Sequence, residues 1–302
     1  MSIEIQNISK YYDKQLAVND ISFQVKTGEI VGFLGPNGAG KSTTMKIISC
    51  FIKPSKGDVL VNGISIHSDE IGVKSNIGYL PENNPLYEDL YVRESIGFIA
   101  QMHRVKYLKN AVENVIEKVG LVKEANKKIG QLSKGYQQRV GIAQAIVHNP
   151  SVLILDEPTS GLDPNQLDEI RSLIKDLGKN KTVMLSTHIM QEVESICDKI
   201  VIINNGKIVA DKILDEFKES ESEEKQQILL VEFDKKIPLN VLKKAFPKTK
   251  IENKDRQWVF SYNGKEDLRK IISKYAQRND VLILEMKSHS ENLEAIFKKL
   301  TK

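Results

Sequence analysis

An α/β fold on a buried, largely parallel sheet is predicted for this chain, followed by a small α+β domain. Three observations carry that prediction. A glycine-rich loop, Gly35-Pro36-Asn37-Gly38-Ala39-Gly40-Lys41-Ser42-Thr43, lies between a short apolar run (Ile30, Val31, Phe33, Leu34) and a helical pattern opening at Thr44. Two further runs, Val152–Asp156 and Thr182–His188, are apolar through their middles and end in polar or charged residues; continuous apolar stretches of that length belong to strands buried on both faces, as in parallel sheets. Beyond about residue 225 shorter strand and helix patterns alternate, as a split βαβ domain requires.

Ile3–Ile8 and Ala17–Val25 read as paired strands, with Ser9–Lys14 as a polar turn that carries Tyr11 and Tyr12. An aromatic ring there can stack on a nucleotide base, a contact any base can make. The strand–loop–helix order around Gly35–Thr43 is the context a phosphate loop needs. Glycines let backbone N–H groups turn toward a ligand, and the helix N-terminus adds unpaired N–H groups and partial positive charge. Lys41 reaches the β- and γ-phosphates of a nucleoside triphosphate in such a loop, and the Ser42 hydroxyl holds Mg²⁺. Gly57–Gly63 is a strand closing on an Asn-Gly turn signal, and Ile77–Glu82 a short strand stopped by Pro81. From Val92 to Gln131 the periodicity is helical, with Gly120 where a C-terminal cap glycine belongs.

Leu132-Ser133-Lys134-Gly135-Tyr136 opens a long apolar helix, and Ser133 and Gly135 make its start a second anion-facing N-terminus. Val152–Asp156 then runs into Glu157 and Pro158. Paired carboxylates at the carboxyl edge of a parallel sheet lie where open α/β sheets take ligands. Asp156 there completes a Mg²⁺ shell and Glu157 polarises the water that attacks a γ-phosphate. Ser160–Pro164 is a loop; Asp163 and Pro164 start an amphipathic helix. His188, at the carboxyl end of the next strand, falls beside the same phosphate.

Composition excludes little. The chain has 302 residues, 40% hydrophobic and 28% charged, with a net charge of +4 and acids and bases interleaved. No basic stripe marks a nucleic-acid footprint, so no nucleic-acid partner is expected. Cys50 and Cys197 lack metal spacing and read as free thiols. No secretory leader and no apolar run long enough for a membrane span are evident, so a cytoplasmic protein is expected.

Taken together these motifs resemble the ATP-binding subunit of an ABC transporter, from Met1 to about Glu216. The resemblance implies a RecA-like P-loop NTPase core with an antiparallel β subdomain and a helical subdomain, over residues 1–216. It implies that Tyr12 stacks on adenine, that Gly35–Thr43 is the Walker A loop, and that Leu132–Tyr136 is the signature motif with Ser133 and Gly135 as phosphate donors. Val152–Asp156 becomes Walker B, Glu157 the catalytic carboxylate, Ser160–Asp163 the D-loop and His188 the switch histidine. Ligands are ATP and Mg²⁺, the metal held by Ser42, Asp156 and Glu82. Partners are a second copy of the chain, sharing ATP across the interface, and a membrane permease that keeps the subunit on the inner face of the membrane. Among relatives the chain is most similar to ABC-2-type exporter subunits, and within them to the gliding-motility subunit. Two departures stand out: Lys134 and Tyr136 replace the commoner Gly and Gln of the signature, and Glu82 takes the usual glutamine position.

Residues 217–225 are expected as a polar linker and 226–302 as an accessory α+β domain without a nucleotide or metal motif. Its expected elements are strands at Ile228–Phe233, Trp258–Tyr262 and Val281–Met286, and helices at Leu239–Phe246, Leu268–Tyr275 and Leu293–Leu300. Two other readings compete: a soluble ABC-type ATPase acting on a non-membrane partner, and a module that only senses ATP. The absence of a cassette repeat and of a coiled-coil insertion weighs against the first, and Lys41, Asp156, Glu157 and His188 against the second.

Overall fold

The computed structural model describes residues 1–220, 227–247, 249–254, 257–262, 267–289, 297, 300 and 301. Two compact units divide the chain, Met1–Leu214 and Asp215–Leu300.

The first unit opens with the antiparallel strands β1 (Ile3–Tyr12) and β2 (Gln15–Val25). The turn expected over Ser9–Lys14 shrinks to Asp13 and Lys14, because Lys10, Tyr11 and Tyr12 keep ladder partners in Val18, Leu16 and Gln15. Polar side chains do not end a strand that has a solvent face, and tyrosine favours strands. Strand β3 (Ile30–Leu34), buried at every residue, feeds the glycine loop and helix α1 (Lys41–Ile48). Strands β4 (Lys56–Val61) and β5 (Ile64–Ser65) follow, joined by Asn62 and Gly63 at φ 50° and 81°. Two successive positive φ values make the hairpin turn that Asn-Gly favours.

Next come α2 (Glu70–Asn76), β6 (Ile77–Leu80), α3 (Val92–Met102), α4 (Leu108–Lys118) and α5 (Lys134–Ile146). The sheet then resumes with β7 (Val152–Asp156), α6 (Pro164–Gly178), β8 (Thr182–Thr187) and α7 (Met190–Ile196). Strands β9 (Lys199–Asn204) and β10 (Lys207–Ile213), absent from the expected elements, complete it. Helix α6 starts as the sequence dictates, with the Asp163 carboxylate accepting from the Gln166 N–H at 3.0 Å and Pro164 in the first turn.

Two sheets form. One is antiparallel, in the order β2-β1-β4-β5; the other has six strands in the order β10-β9-β3-β8-β7-β6. Within the second, β9, β3, β8, β7 and β6 pair in parallel and β10 closes the edge antiparallel. One core joins the two sheets: Phe23 of β2 stacks on Phe33 of β3 with ring centroids 5.5 Å apart, over Met45 and Ile48 of α1. That packing fixes the strand from which the glycine loop springs.

Helix α8 (Leu214–Ser220) occupies the start of the expected linker. Leu214 and Phe217, three apart on one helix face, are both buried and override the polar sequence around them. Residues 221–226 lie outside the described residues. Strands β11 (Gln227–Phe233), β12 (Thr249–Lys254), β13 (Gln257–Tyr262) and β14 (Ile283–His289) pair antiparallel in the order β12-β13-β11-β14. Helices α9 (Leu239–Ala245) and α10 (Leu268–Arg278) cross between them, which gives the split βαβ topology. β12 was not expected: it is an edge strand that buries only Ile251, too few apolar residues to show alternation. Of the helix expected over Leu293–Leu300, only residues 297 and 300 are among the described residues.

Removing the ring that links the two sheets, Phe33→Ala, is expected to cost about 3–5 kcal/mol, read as a lower denaturation midpoint at unchanged slope. Acid should weaken the fold at a second place. His103 stacks on His148 with centroids 3.8 Å apart, and His148 Nε2 faces the Ile77 carbonyl at 3.0 Å, so Nε2 carries the proton. Its Nδ1 is buried with no partner among the described residues. Burial, and secondarily His103, push His148 down from 6.5 to about 4. The fold therefore holds it neutral, while the unfolded chain protonates it near its ordinary value. Stability from this group is complete above pH 6.5 and is lost progressively as pH falls from there to about 4. Unfolding curves across that window should show the loss, and His148→Gln, which keeps a donor for Ile77, should flatten that part of the profile.

Candidate active site

The glycine loop is shaped by crowding on one side and freedom on the other. A Cβ on Gly35 would lie 2.5 Å from the Ile203 carbonyl, and one on Gly40 2.7 Å from that of Ala17. Gly40 caps α1 at φ 109°, a conformation only glycine takes cheaply. Helix α1 then begins at Lys41, which places its unpaired N–H groups and the Lys41 side chain at the mouth of the loop. The buried Lys41 ammonium donates to the carbonyls of Gly35 (2.9 Å) and Pro36 (3.3 Å) and lies 3.4 Å from Glu157 Oε1.

Asp156 ends β7 one strand away from β8. Its Oδ1 accepts from Ser186 Oγ at 2.5 Å and from Ser42 Oγ at 3.2 Å. Its Oδ2 is buried with no hydrogen-bond partner among the described residues. A buried carboxylate oxygen left in that state favours a cation beside it. With the Ser42 hydroxyl adjacent, the donor set is all oxygen and fits a hard divalent metal such as Mg²⁺. Among the described residues no cluster of three or more His, Cys, Asp or Glu forms a metal site on its own.

Glu157 follows with φ 49°, and its N–H donates to Ser186 Oγ at 2.9 Å. That left-handed residue turns the carboxylate back over the loop, where it meets Lys41 and also His188 Nδ1 at 3.0 Å. His188 is half-exposed on the far side. Ser186, which sequence reasoning missed, thus holds both acidic residues with one hydroxyl. Its signal was a serine among apolar residues near the end of a buried strand. Glu192 was missed too: buried on α7, it accepts from Thr159 and Thr187 hydroxyls, each at 2.5 Å, and lies 3.9 Å from Arg171. It ties the segment after Glu157 to the segment that carries His188.

Lys41 and Glu157 line a cavity of about 450 Å³ together with Tyr12, Asn37, Ser42, Thr43 and Glu82; Asp156 and His188 are attached to that lining through Ser42 and Glu157. Tyr12 stands half-exposed at its rim, with the Lys10 ammonium 5.4 Å from the ring centroid. Pro36 and Ala39 complete the loop behind it, the Ala39 N–H donating to the Pro36 carbonyl at 3.2 Å. Ser133 and Gly135 do not line this cavity. Ser133 caps α5, its hydroxyl accepting from the Tyr136 N–H at 3.5 Å, while Gly135 packs beneath the Gln166 side chain. A smaller polar cavity of about 210 Å³ shares Glu82 and Glu157 with the first and adds Asn84, Lys134, Gln138 and Ser160. Asn84 donates to the Gln137 carbonyl (2.9 Å) and to Gln138 Oε1 (3.3 Å), fastening the Glu82 loop to α5.

A family profile described as "ABC transporter" matches residues 18–160. Over 99% of this chain and 96% of its own length, the "Bacitracin transport ATP-binding protein BcrA" of Enterococcus faecalis is 34% identical. The "Linearmycin resistance ATP-binding protein LnrL" of Bacillus subtilis is 39% identical over 69% of this chain and 68% of its own. A solved "ATP binding subunit of ABC transporter" superposes with a TM-score of 0.66 at 30% identity, covering 73% of this chain and 93% of that one. The dimeric structure of a bacterial ABC transporter cassette does so with a TM-score of 0.65 at 29% identity, over 70% and 98%. With the loop, the paired carboxylates and the flanking sheet placed as they are, this chain belongs to the ATP-binding proteins of ABC transporters and is an ATPase of the P-loop NTPase fold.

Proposed function

We propose that the chain hydrolyses ATP to power a separate membrane permease of the ABC-2 exporter type. Among the described residues no helix is long and apolar enough to cross a membrane. Support for the exporter class comes from relatives named for bacitracin transport and linearmycin resistance, one of them similar along its whole length. The narrower link to gliding motility has no support among these relatives.

The observation that carries the mechanism is that Lys41, Ser42 and Glu157 line one cavity while Asp156, buried and bonded to Ser42, has its Oδ2 without a partner among the described residues. Tyr12 stacks on the adenine, and the loop from Gly35 to Thr43 wraps the phosphates with its N–H groups. Lys41 leaves its carbonyl partners and Glu157 to take the β- and γ-phosphate oxygens. Ser42, Asp156 and Glu82 hold Mg²⁺, which neutralises charge on the phosphates when bound. Glu157, released from Lys41 and steadied by His188, accepts the proton of the attacking water. His188 also donates toward the γ-phosphate. Ser133 and Gly135 lie outside this cavity, so their donors serve the ATP of a second copy of the chain, arranged head to tail. ATP closes the pair and hydrolysis reopens it, because the closed state binds ATP more tightly than products.

Glu157→Gln keeps size and hydrogen bonding but removes the base. ATP binding should persist while turnover falls about a hundredfold or more, and gel filtration with ATP should show a trapped dimer. Turnover at the parental rate would assign the base elsewhere. The shared site has its own test, with Glu157→Gln in every protein so that trapping is measured. Lys41→Ala and Ser133→Arg should each abolish the ATP-trapped dimer. Mixed together they form one doubly broken and one intact site, and one ATP should be trapped per mixed dimer. Absence of trapping on mixing, with dimerisation retained by Ser133→Arg alone, would reduce Ser133 to a helix cap.

A further inference from the structure

One buried polar atom beside the site has no place in the mechanism above. Tyr79 lies on β6, and its hydroxyl is buried with no hydrogen-bond partner among the described residues. Leaving such a hydroxyl unsatisfied costs stability, and native structures keep few of them without a use. The ring is accounted for: it packs against the core beneath α1. Only the oxygen needs a role.

Sheet register places that oxygen. Tyr79 pairs with Ile154 of β7, and Ile154 and Asp156 share one face because alternate residues do. On the same face β8 sets Met184 beside Ile154 and Ser186 beside Asp156. Tyr79 is therefore the diagonal neighbour of Asp156 on the face that α1 covers. A diagonal offset of about 7–8 Å is within reach of a tyrosine side chain. Burial first, then the carboxylates of Asp156 and Glu82, push the phenol well above its usual range, so the oxygen stays protonated and acts as a donor. Asp156 Oδ2, on the same face, is another buried atom without a partner among the described residues. Two orphans, one a donor and one an acceptor, share this face of the sheet without meeting directly. A small polar particle between them satisfies both.

We propose that Tyr79 is a positioning residue for the metal site: its hydroxyl donates to a water in the shell of the divalent cation held by Asp156 and Ser42. It acts through that water and touches neither nucleotide nor metal. The proposal rests on the metal assignment made above, and its test separates the two.

Tyr79→Phe removes the oxygen and keeps the ring in the core. In the Glu157→Gln background, Mn²⁺ is titrated into the protein–ATP complex and followed by electron paramagnetic resonance; ATP affinity is measured separately in excess chelator. Tyr79→Phe should weaken Mn²⁺ binding about three- to tenfold, the worth of one hydrogen bond, with metal-free ATP affinity and melting temperature unchanged. Asp156→Asn is the control. If Asp156→Asn weakens Mn²⁺ and Tyr79→Phe does not, the Tyr79 role is overturned and the metal site stands. Failure of both to weaken it overturns the metal assignment and, with it, the role of Tyr79. An equal loss of metal-free ATP affinity in Tyr79→Phe would make the hydroxyl merely structural and also overturn the proposal.

Discussion

Asp156 ends a strand in which every residue is buried, and its carboxylate stays inside with it. Taking a charge out of water is expensive unless hydrogen bonds and an opposite charge replace the water. Here one oxygen receives two hydroxyls, from Ser42 and Ser186, and the other receives none among the described residues. Much of the surrounding geometry follows from that half-satisfied group. Ser42 can reach it only because α1 starts at Lys41, and α1 starts there because Gly40 takes φ 109° against the Ala17 carbonyl. Ser186 can reach it only because β8 pairs with β7 in parallel register, Asp156 opposite Ser186. Loop, helix and neighbouring strand are all set by the needs of one carboxylate, and that carboxylate remains ready for a cation.

Glu157 joins Lys41 to His188 across the same site. Its carboxylate spans Lys41 and His188, and Lys41 spends its donors on two carbonyls of its own loop. A buried lysine and a buried glutamate are each costly alone, and as a pair they answer one another. Incoming phosphate competes for the lysine with charge of the same sign as Glu157. In the proposed mechanism displacement therefore needs no new cation: phosphate would replace carboxylate at Lys41, and Glu157 would be left facing the phosphate with its hydrogen bond to His188 as its steadying contact. The left-handed backbone at Glu157 costs strain that an ordinary turn would avoid. It is held by the Ser186 hydroxyl, the same atom that orients Asp156.

What could be read along the sequence was what the chain does locally. Gly35–Thr43, Val152–Glu157 and Asp163-Pro164 carry their meaning in consecutive residues, so spacing alone revealed them. Ser186, Glu192 and Tyr79 act across strands or between a helix and a strand, and no linear pattern marks a partner about thirty residues or more away, as Glu192 is from Thr159. The extended β1 was misjudged because polar residues on the solvent face of a hairpin look like a turn. Edge strand β12 was invisible because an edge needs only one buried residue, and α8 hid behind a polar composition that two apolar residues outweigh. Ser133 and Gly135 were legible as helix-start donors; that they face a second copy of the chain was expected from the family resemblance and is not marked by the adjacent residues.

The two departures from the common pattern of the family meet in space. Glu82 adds a negative charge where an amide is usual, and Lys134 adds a positive one where glycine is usual. Both line the same small polar cavity, which also touches Glu157. The Lys134 stem lies over Gly161, where a Cβ would sit 2.1 Å from the ammonium. Gly161 takes φ 71° and leaves that space open, so the lysine rests on its own chain instead of stretching away from the cavity. Asn84 helps to hold Glu82 and Lys134 together, more than fifty residues apart in the chain, by fastening the Glu82 loop to α5, the helix that opens at Lys134. As a pair they bring one negative and one positive formal charge to a cavity that Glu157 also lines, a net of zero, as an amide and a glycine would.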